Sequence, residues 1–208
     1  MSLDDYILSC IDIEPPLLAV LNRKAHINLL RPKMIAGHLQ GRILKMLVRM
    51  QRPQRILEIG TFTGYATLCL AEGLSEGGEI HTIEVDDEME DFIQNQFGQS
   101  ALKDTIHLHI GDALEVIPKL EGQFDLVFID ADKRDYCEYY DLVFDKVRPG
   151  GMIIADNTLW DGKVLGIPHP SDKQTIGIQQ FNDKIAKDKR VEKVIIPFRD
   201  GLTLIIKN

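Results

Sequence analysis

The sequence predicts an α/β fold, a doubly wound and mostly parallel seven-stranded sheet that ends in an antiparallel hairpin and follows N-terminal helices. Apolar runs such as Phe124–Ile129 are continuous, which is typical of strands buried on both faces of a parallel sheet. From residue 55 onward such runs alternate with helical segments, the pattern of a sheet with helices on both faces. Near the end, Asp200-Gly201 separates two apolar runs, which indicates a hairpin.

The 208 residues are predicted to form one domain, with a helical segment at 1–52 and an α/β core at 53–208. Helix is predicted over 3–50, where apolar residues in 34–50 recur at spacings of three and four. The predicted strands are Arg55–Ile59, Glu79–Glu84, 105–110, Phe124–Ile129, 151–155, 191–197 and Leu202–Lys207. The predicted helices of the core are 64–74, 87–97, 113–120, 136–147 and 175–187.

The net charge and composition of the chain limit the kinds of partner and compartment that are expected for it. The net charge of −8 disfavours nucleic acid, which usually requires a basic surface. No stretch has the length and apolarity of a membrane span, and the N-terminus lacks a signal-peptide pattern. The three cysteines, Cys10, Cys69 and Cys137, are odd in number and widely spaced. They predict reduced, mostly buried thiols and a cytoplasmic protein.

Polar residues follow two of the predicted buried strands. Asp130 comes directly after one strand, and Asp156-Asn157 after the next, where open α/β sheets bind their ligands. Two carboxylates and an amide oxygen suit Mg²⁺ or Ca²⁺ better than zinc. The loop 157–172 that follows is predicted to be a lid or substrate wall. It contains Trp160, either a packing residue or a cover for a flat ligand.

A glycine-containing turn follows the first strand. Gly60 and Gly64 allow close backbone approach and positive φ, so the turn is either a ligand-binding loop or a plain connection. Thr61 occupies the second glycine position of a dinucleotide fingerprint, which weakens an NAD interpretation. Glu84, at the end of the second strand, is placed to accept two ribose hydroxyls or to cap a helix. Asp112 is placed to accept an adenine amino group or to be an N-cap.

Six stretches carry a family resemblance: LEIGTFTGYA (57–66), TIEVD (82–86), GDALEVIP (111–118), FDLVFIDADKRDYCEYYD (124–141), RPGGMIIADNTLWDGKV (148–164) and DGLTLIIK (200–207). Together they resemble the cation-dependent O-methyltransferases of the caffeoyl-CoA and catechol type, over nearly all of residues 34–208. The combination of DADK with DN is specific to that family. The resemblance implies a class I methyltransferase (Rossmann-like) fold, S-adenosylmethionine as the methyl donor and a divalent metal.

The same resemblance assigns site residues. Asp130, Asp156 and Asn157 are expected to chelate Mg²⁺, or else Ca²⁺ or Mn²⁺, and Lys133 matches the catalytic lysine of the catechol enzymes. The resemblance places Ala36, Glu58, Gly60, Thr61, Ala66, Glu84, Ala113, Asp130 and Tyr139 at cofactor contacts, and Asp112 is predicted to be a further contact from its position after the third strand. The resemblance also places Asp132 and Asp161 at substrate contacts, and Trp160 is predicted to be a third from its position in the loop. Ala66 stands where relatives commonly have serine, and Asp161 stands where the plant enzymes have asparagine.

The expected mechanism places two vicinal oxygens of a catechol-like acceptor on the metal. Lys133 takes a hydroxyl proton as general base, which requires that its pKa be depressed from about 10.4 by a nearby cation. The oxyanion then attacks the methyl group in line. Three alternatives stay open: methylation of a hydroxyuridine in tRNA, an NAD-dependent oxidoreductase, and a cofactor-binding or scaffold protein without catalysis. A homodimer is also expected from the resemblance.

Some other conspicuous residues are predicted to have no chemical role. The six histidines, His26, His38, His81, His107, His109 and His169, do not have the spacing of metal ligands. His107 and His109 alternate along a predicted strand and are expected to share one face. Tyr136 and Tyr140 are four residues apart on a predicted helix, which favours packing roles.

Overall fold

The computed structural model of the protein describes residues 1–208 and contains one seven-stranded sheet in the order β3-β2-β1-β4-β5-β7-β6. The strands are β1 Arg55–Ile59, β2 Glu79–Glu84, β3 Ile106–Ile110, β4 Phe124–Ile129, β5 Val147–Asp156, β6 Val191–Ile196 and β7 Leu202–Lys207. The helices are α1 Leu3–Cys10, α2 Pro16–Asn28, α3 Gly37–Gln51, α4 Tyr65–Ala71, α5 Glu90–Gly98, α6 Ala113–Val116, α7 Tyr136–Phe144 and α8 Lys173–Lys187.

The order of the strands determines where a ligand crevice can form in the sheet. Strands β1 to β5 are parallel, whereas β7 runs antiparallel to both β5 and β6, which confirms the predicted hairpin. The chain winds from β1 outward to β3, then returns to β4 on the other side of β1. At such a reversal the connections leave on opposite faces, so the carboxyl ends of β1 and β4 border an open crevice.

Helices cover both faces of the sheet, as the continuous apolar runs predict. Leu57 and Ile59 of β1 pack in a core with residues of α7 and α8. Ile56 of the same strand packs on the other face with residues of α3 and α4. Helix α2 joins a third, smaller core with α4 and α5. Helices α2 and α3 of the N-terminal segment are therefore packed against the α/β core.

Several element boundaries differ from the prediction. The single stretch 3–50 is divided into α1, α2 and α3, because Pro16 starts α2 at its first position, where proline's missing N–H costs nothing. Strand β5 starts at Val147, four residues early, and pairs with β4 across an irregularity between Phe124 and Leu126. It also runs one residue further than predicted, so Asp156 belongs to the strand itself.

Two further predictions concern the burial of the cysteines and the presence of a membrane-spanning helix. All three thiols are free, with Cys69 buried, Cys137 half-buried and Cys10 exposed. The prediction of mostly buried thiols is therefore wrong for Cys10, which lies at the end of α1, a helix without any buried residue. None of the helices combines the length and apolarity needed to cross a membrane.

Candidate active site

A cleft of about 800 Å³ opens at the carboxyl ends of β1, β2, β4 and β5, within the range of about 300–1,000 Å³ typical of small-molecule sites. Most of the predicted site residues line it: Ala36, Gly60, Thr61, Ala66, Glu84, Asp112, Ala113, Asp130, Asp132, Lys133, Tyr139, Asp156, Asn157 and Trp160. Two predicted site residues, Glu58 and Asp161, do not line it.

The turn after β1 is packed directly against the end of β4. Gly60 has φ +97°, and a Cβ added there would overlap the carbonyl oxygen of Asp130. The Gly60 and Thr61 amides both donate to the Ile83 carbonyl, at 3.0 and 3.2 Å. The turn therefore fixes the ends of β1, β2 and β4 relative to one another, and only glycine fits at its first position.

Replacing Gly60 with alanine is expected to lower the free energy of unfolding by more than about 1 kcal/mol, because the new Cβ meets backbone at a positive φ. Gly98→Ala is the matched control, since a Cβ there meets nothing within 4 Å and α5 tolerates alanine well. Urea denaturation of both variants measures the difference. Equal midpoints for Gly60→Ala and Gly98→Ala would contradict the proposed packing.

Two acids at neighbouring strand ends are held by backbone amides. Glu84 is buried, and its carboxylate accepts from the amides of Phe62 at 2.6 Å and Asp86 at 2.9 Å. Asp112 caps α6 by accepting from the Leu114 amide at 2.8 Å, so its N-cap role is confirmed. Both side chains nonetheless line the cleft, and a carboxylate has about four acceptor positions, so each retains capacity for a ligand.

Glu58 lies beneath the turn and is fully buried. Its Oε2 accepts from the hydroxyls of Thr67 and of Thr82, the latter at 2.6 Å. Its Oε1 has no hydrogen-bond partner. Burial raises the pKa of this carboxyl to about 8 despite the two hydroxyl donors. Glu58 is therefore protonated at neutral pH in the absence of a ligand.

This shifted pKa predicts a pH dependence of stability. In the unfolded chain Glu58 loses its proton near pH 4.5, but in the folded chain it does so only near pH 8. Between these values the unfolded state binds fewer protons, so the free energy of unfolding falls as pH rises from about 4.5 to 8. Urea denaturation across this range is expected to show the fall, and Glu58→Gln to reduce it. Identical slopes for the two proteins would contradict the assignment.

The three proposed metal ligands lie at the ends of β4 and β5. Asp156 is buried, and its carboxylate accepts from Gln40 Nε2 at 2.5 Å and from the Asn157 amide at 2.8 Å. Burial, and then the negative charge of Asp130, raise the pKa of Asp156 to about 6. Asn157 adopts φ +58°, an uncommon conformation that recurs at functional sites.

Lys133 is buried beside these acids. Its Nζ donates to Asp130 Oδ1 and to the Tyr136 hydroxyl, at 2.8 Å in each case. Burial alone lowers the pKa of the ammonium, but the combined attraction of Asp130 and Tyr136 outweighs it and raises the pKa. In the protein without a bound cation, Asp130 thus stabilises the charged form, and the depression expected beside a nearby cation stays a prediction.

Three residues of the site were missed by the sequence analysis. Tyr136 is not only a packing residue, since its hydroxyl also donates to the Asp156 carbonyl at 3.0 Å. Gln40 holds the Asp156 carboxylate and in turn accepts from Arg199 Nη1 at 2.6 Å. The position of Tyr136, three residues after Lys133, was a usable signal. Gln40 and Arg199 carry none, because they reach the site only through the tertiary fold.

The loop after Asn157 forms a wall of the cleft, as predicted. Trp160, Asp161 and Gly162 have consecutive positive φ values of 47°, 52° and 72°. Trp160 lines the cleft and also packs against the core, while its buried Nε1 has no partner. Asp161 is exposed, and its amide donates to Asp200 at 3.3 Å. The loop thus brings Trp160 to the cleft but not Asp161.

Comparison with known proteins agrees with this geometry. Residues 9–208 match the family model described as O-methyltransferase. A catechol O-methyltransferase of Niastella koreensis is 32% identical, over 99% of this chain and 96% of that protein. Caffeoyl-CoA O-methyltransferase 1 of Eucalyptus globulus is 31% identical, over 79% of this chain and 71% of that protein.

Solved structures give the same result. The O-methyltransferase TomG of Streptomyces achromogenes, in complex with SAM, superposes with a TM-score of 0.93 at 30% identity, over 99% of this chain and 96% of that one. An O-methyltransferase of Bacillus cereus, in complex with SAH, has a TM-score of 0.93 at 29% identity, over 99% and 97%. This family carries out methyl transfer, so the oxidoreductase alternative loses its support. The chain belongs to the O-methyltransferase family.

Proposed function

We propose that the protein transfers the methyl group of S-adenosylmethionine to a hydroxyl of a catechol-like small molecule, with the help of a divalent cation. The observation that carries this proposal is that one cleft is lined by Asp130, Asp156, Asn157 and Lys133 together with the turn at Gly60. The SAM-bound structure of TomG, which is similar over nearly the whole chain, supports the choice of methyl donor.

The residues present fit S-adenosylmethionine. Glu58 is fully buried and does not line the cleft, so it is proposed to act on the methionine end from beneath the Gly60 turn. Glu84 is fixed by two backbone amides and is proposed to accept the ribose hydroxyls. The adenine is proposed to lie by Asp112 and Ala113. The remaining proposed cofactor contacts are Ala36, Gly60, Thr61, Ala66, Asp130 and Tyr139.

The residues at the ends of β4 and β5 also fit a divalent cation. Asp130, Asp156 and Asn157 would hold it through hard oxygen donors, which favours Mg²⁺, with Mn²⁺ or Ca²⁺ as alternatives. The raised pKa of Asp156 reflects burial and repulsion from Asp130, and a cation relieves that repulsion. When bound, such a cation supplies Lewis-acid chemistry that lowers the pKa of an acceptor hydroxyl.

Lys133 is proposed to take the acceptor proton at its Nζ. To do so it must be neutral, which the attraction of Asp130 opposes. A cation held by Asp130 would weaken that attraction, so the base would be available only in the loaded site. The Tyr136 hydroxyl, 2.8 Å from Nζ, holds the amine in place while the acceptor proton moves to Nζ. Trp160 and Asp132 line the part of the cleft proposed for the acceptor ring.

The assembly and location of the protein belong to the proposal as well. Val194, Ile195 and Ile196 of the edge strand β6 are exposed, and an exposed apolar edge is a typical site of self-association. This supports the expected homodimer. Light scattering, which gives the molar mass in solution, measures the oligomeric state directly. A cytoplasmic location is proposed from the free thiols.

Turnover of a panel of catechols and hydroxycinnamoyl thioesters with labelled S-adenosylmethionine tests the proposed function. Methylation of at least one vicinal diol, abolished by chelator and restored by Mg²⁺, is the expected result. Chelator-insensitive methylation would refute the metal assignment, and labelling of bulk tRNA in place of the panel would refute the small-molecule acceptor.

A further inference from the structure

A second cluster of metal-ligating side chains lies on β2 and β3, away from the cleft. Glu79 and His81 are two residues apart on β2, so their side chains share one face of the sheet. The register pairs His81 with His107, and His109 lies two residues further along β3. The His81 ring stacks on both, with ring centroids 4.8 Å from His107 and 5.2 Å from His109. The prediction that the two β3 histidines share a face is confirmed.

The ligand atoms of this cluster lie at the separations that a metal ion requires. Glu79 Oε2 is 3.3 Å from His107 Nε2, and Glu79 Oε1 is 3.2 Å from His81 Nε2. The other ring nitrogen of His81, Nδ1, is 3.0 Å from His109 Nε2, so His109 is placed to orient the His81 ring rather than to bind the ion. Around a tetrahedral zinc ion with bonds of about 2.0–2.2 Å, neighbouring ligand atoms are roughly 3.4 Å apart. The side chains therefore need only small rotations to surround an ion.

The exposure of the cluster also suits metal binding. The side chains of His107 and Glu79 are 44% and 36% exposed, so an ion can enter from solvent. The imidazoles and the carboxylate thus share a side that is open to solvent.

The guanidinium of Arg55 contacts two of these side chains and opposes the binding of a metal ion. Arg55 Nε donates to Glu79 Oε1 at 2.6 Å, and Arg55 Nη2 lies 3.2 Å from His81 Nε2. Its Nη1 is anchored elsewhere, on the Glu121 carbonyl at 2.8 Å. Arg55 therefore occupies Oε1 but leaves Oε2 beside His107. An entering ion therefore has to displace Arg55 from His81, and it approaches Glu79 at Oε2.

We propose that Glu79, His81 and His107 bind a divalent transition-metal ion through their clustered ligand atoms, with Zn²⁺ as the ion that fits best and a fourth position open to solvent. Imidazole nitrogens favour such metals over Mg²⁺, so this site and the oxygen-rich cleft select different ions. Because β3 is the outermost strand of the sheet, a bound ion ties this edge strand to β2.

Titration of tag-free, full-length protein with Co²⁺ tests the proposal, since tetrahedral Co²⁺ has characteristic visible absorption. The Asp156→Ala variant is used so that the cleft does not contribute. One equivalent of Co²⁺ is expected to bind with that absorption and to be displaced by Zn²⁺ but not by excess Mg²⁺. Absence of saturable binding, or displacement by Mg²⁺, would overturn the proposal.

Single substitutions locate the ion. Removing a residue that only hydrogen-bonds to a metal ligand typically weakens metal binding about 10–100-fold. Removing a ligand itself, in His107→Gln or Glu79→Gln, is therefore expected to weaken Co²⁺ binding at least about tenfold. His26→Gln is the matched control, because His26 is exposed on α2 and outside the cluster. Circular dichroism checks that the variants are folded. Equal affinities of His107→Gln and His26→Gln would exclude the site.

Discussion

Lys133→Ala is expected to lower the turnover number by about 10²–10⁴-fold, the contribution typical of a positioned general base. Binding of S-adenosylmethionine, measured by calorimetry, is expected to remain within a few-fold of the original. The reason is geometric: Nζ contacts Asp130 and Tyr136, whereas the cofactor is proposed to be held mainly by residues of other strands. Turnover with the best acceptor of the panel is the measurement.

A second variant keeps this test interpretable. Lys133 is buried, so alanine leaves a cavity that itself costs stability. Lys133→Met fills most of that volume without an amine and is expected to be as inactive as Lys133→Ala. Lys187→Ala, an exposed lysine at the end of α8, is the matched control with unchanged turnover. Retained activity in Lys133→Met would show that the amine is not the base.

Asp156→Ala is expected to reduce Mg²⁺-dependent turnover by at least about a hundredfold. Lewis-acid stabilisation of a developing oxyanion supplies several kcal/mol, and each 1.36 kcal/mol corresponds to about a tenfold change in rate. The Mg²⁺ concentration for half-maximal activity is expected to rise in parallel. Titration of Mn²⁺ in place of Mg²⁺, followed by electron paramagnetic resonance of the free ion, measures the loss of binding directly.

The control for this variant is Asp135→Asn, which removes a carboxylate from the same cleft but outside the proposed ligand set. It is expected to bind Mn²⁺ as the original protein does. If Asp156→Ala retained both Mn²⁺ binding and Mg²⁺ dependence, the ion would have to lie elsewhere. Comparable losses in the two variants would indicate a general effect of the negative charge of the cleft.

The features that were predictable from the sequence are those encoded within a few neighbouring residues. The turn at Gly60 and the acids that end β4 and β5 are local in sequence, and a parallel sheet necessarily brings strand ends together. The support of Asp156 by Gln40 was not predictable, because those residues are 116 positions apart. The raised pKa of Lys133 depends in the same way on the exact placement of a neighbouring charge.

The histidines show a different limit of sequence patterns. His81 and His107 do not have the spacing of metal ligands along the chain, so no role was predicted for them. Their proximity arises from the register of β2 against β3, which a single sequence specifies only through the whole sheet. Spacing rules find metal ligands within one element, but they miss ligands contributed by two adjacent strands.

The C-terminal hairpin has a consequence for the order in which the protein becomes active. Asp156 pairs with Leu202 of β7, and the Thr158 amide just beyond it donates to the Gly201 carbonyl at 3.1 Å. One proposed cation ligand is thus held in place by the last strand of the sheet to be synthesised. A nascent chain therefore lacks this support for Asp156 until β7 has been synthesised and has docked beside β5.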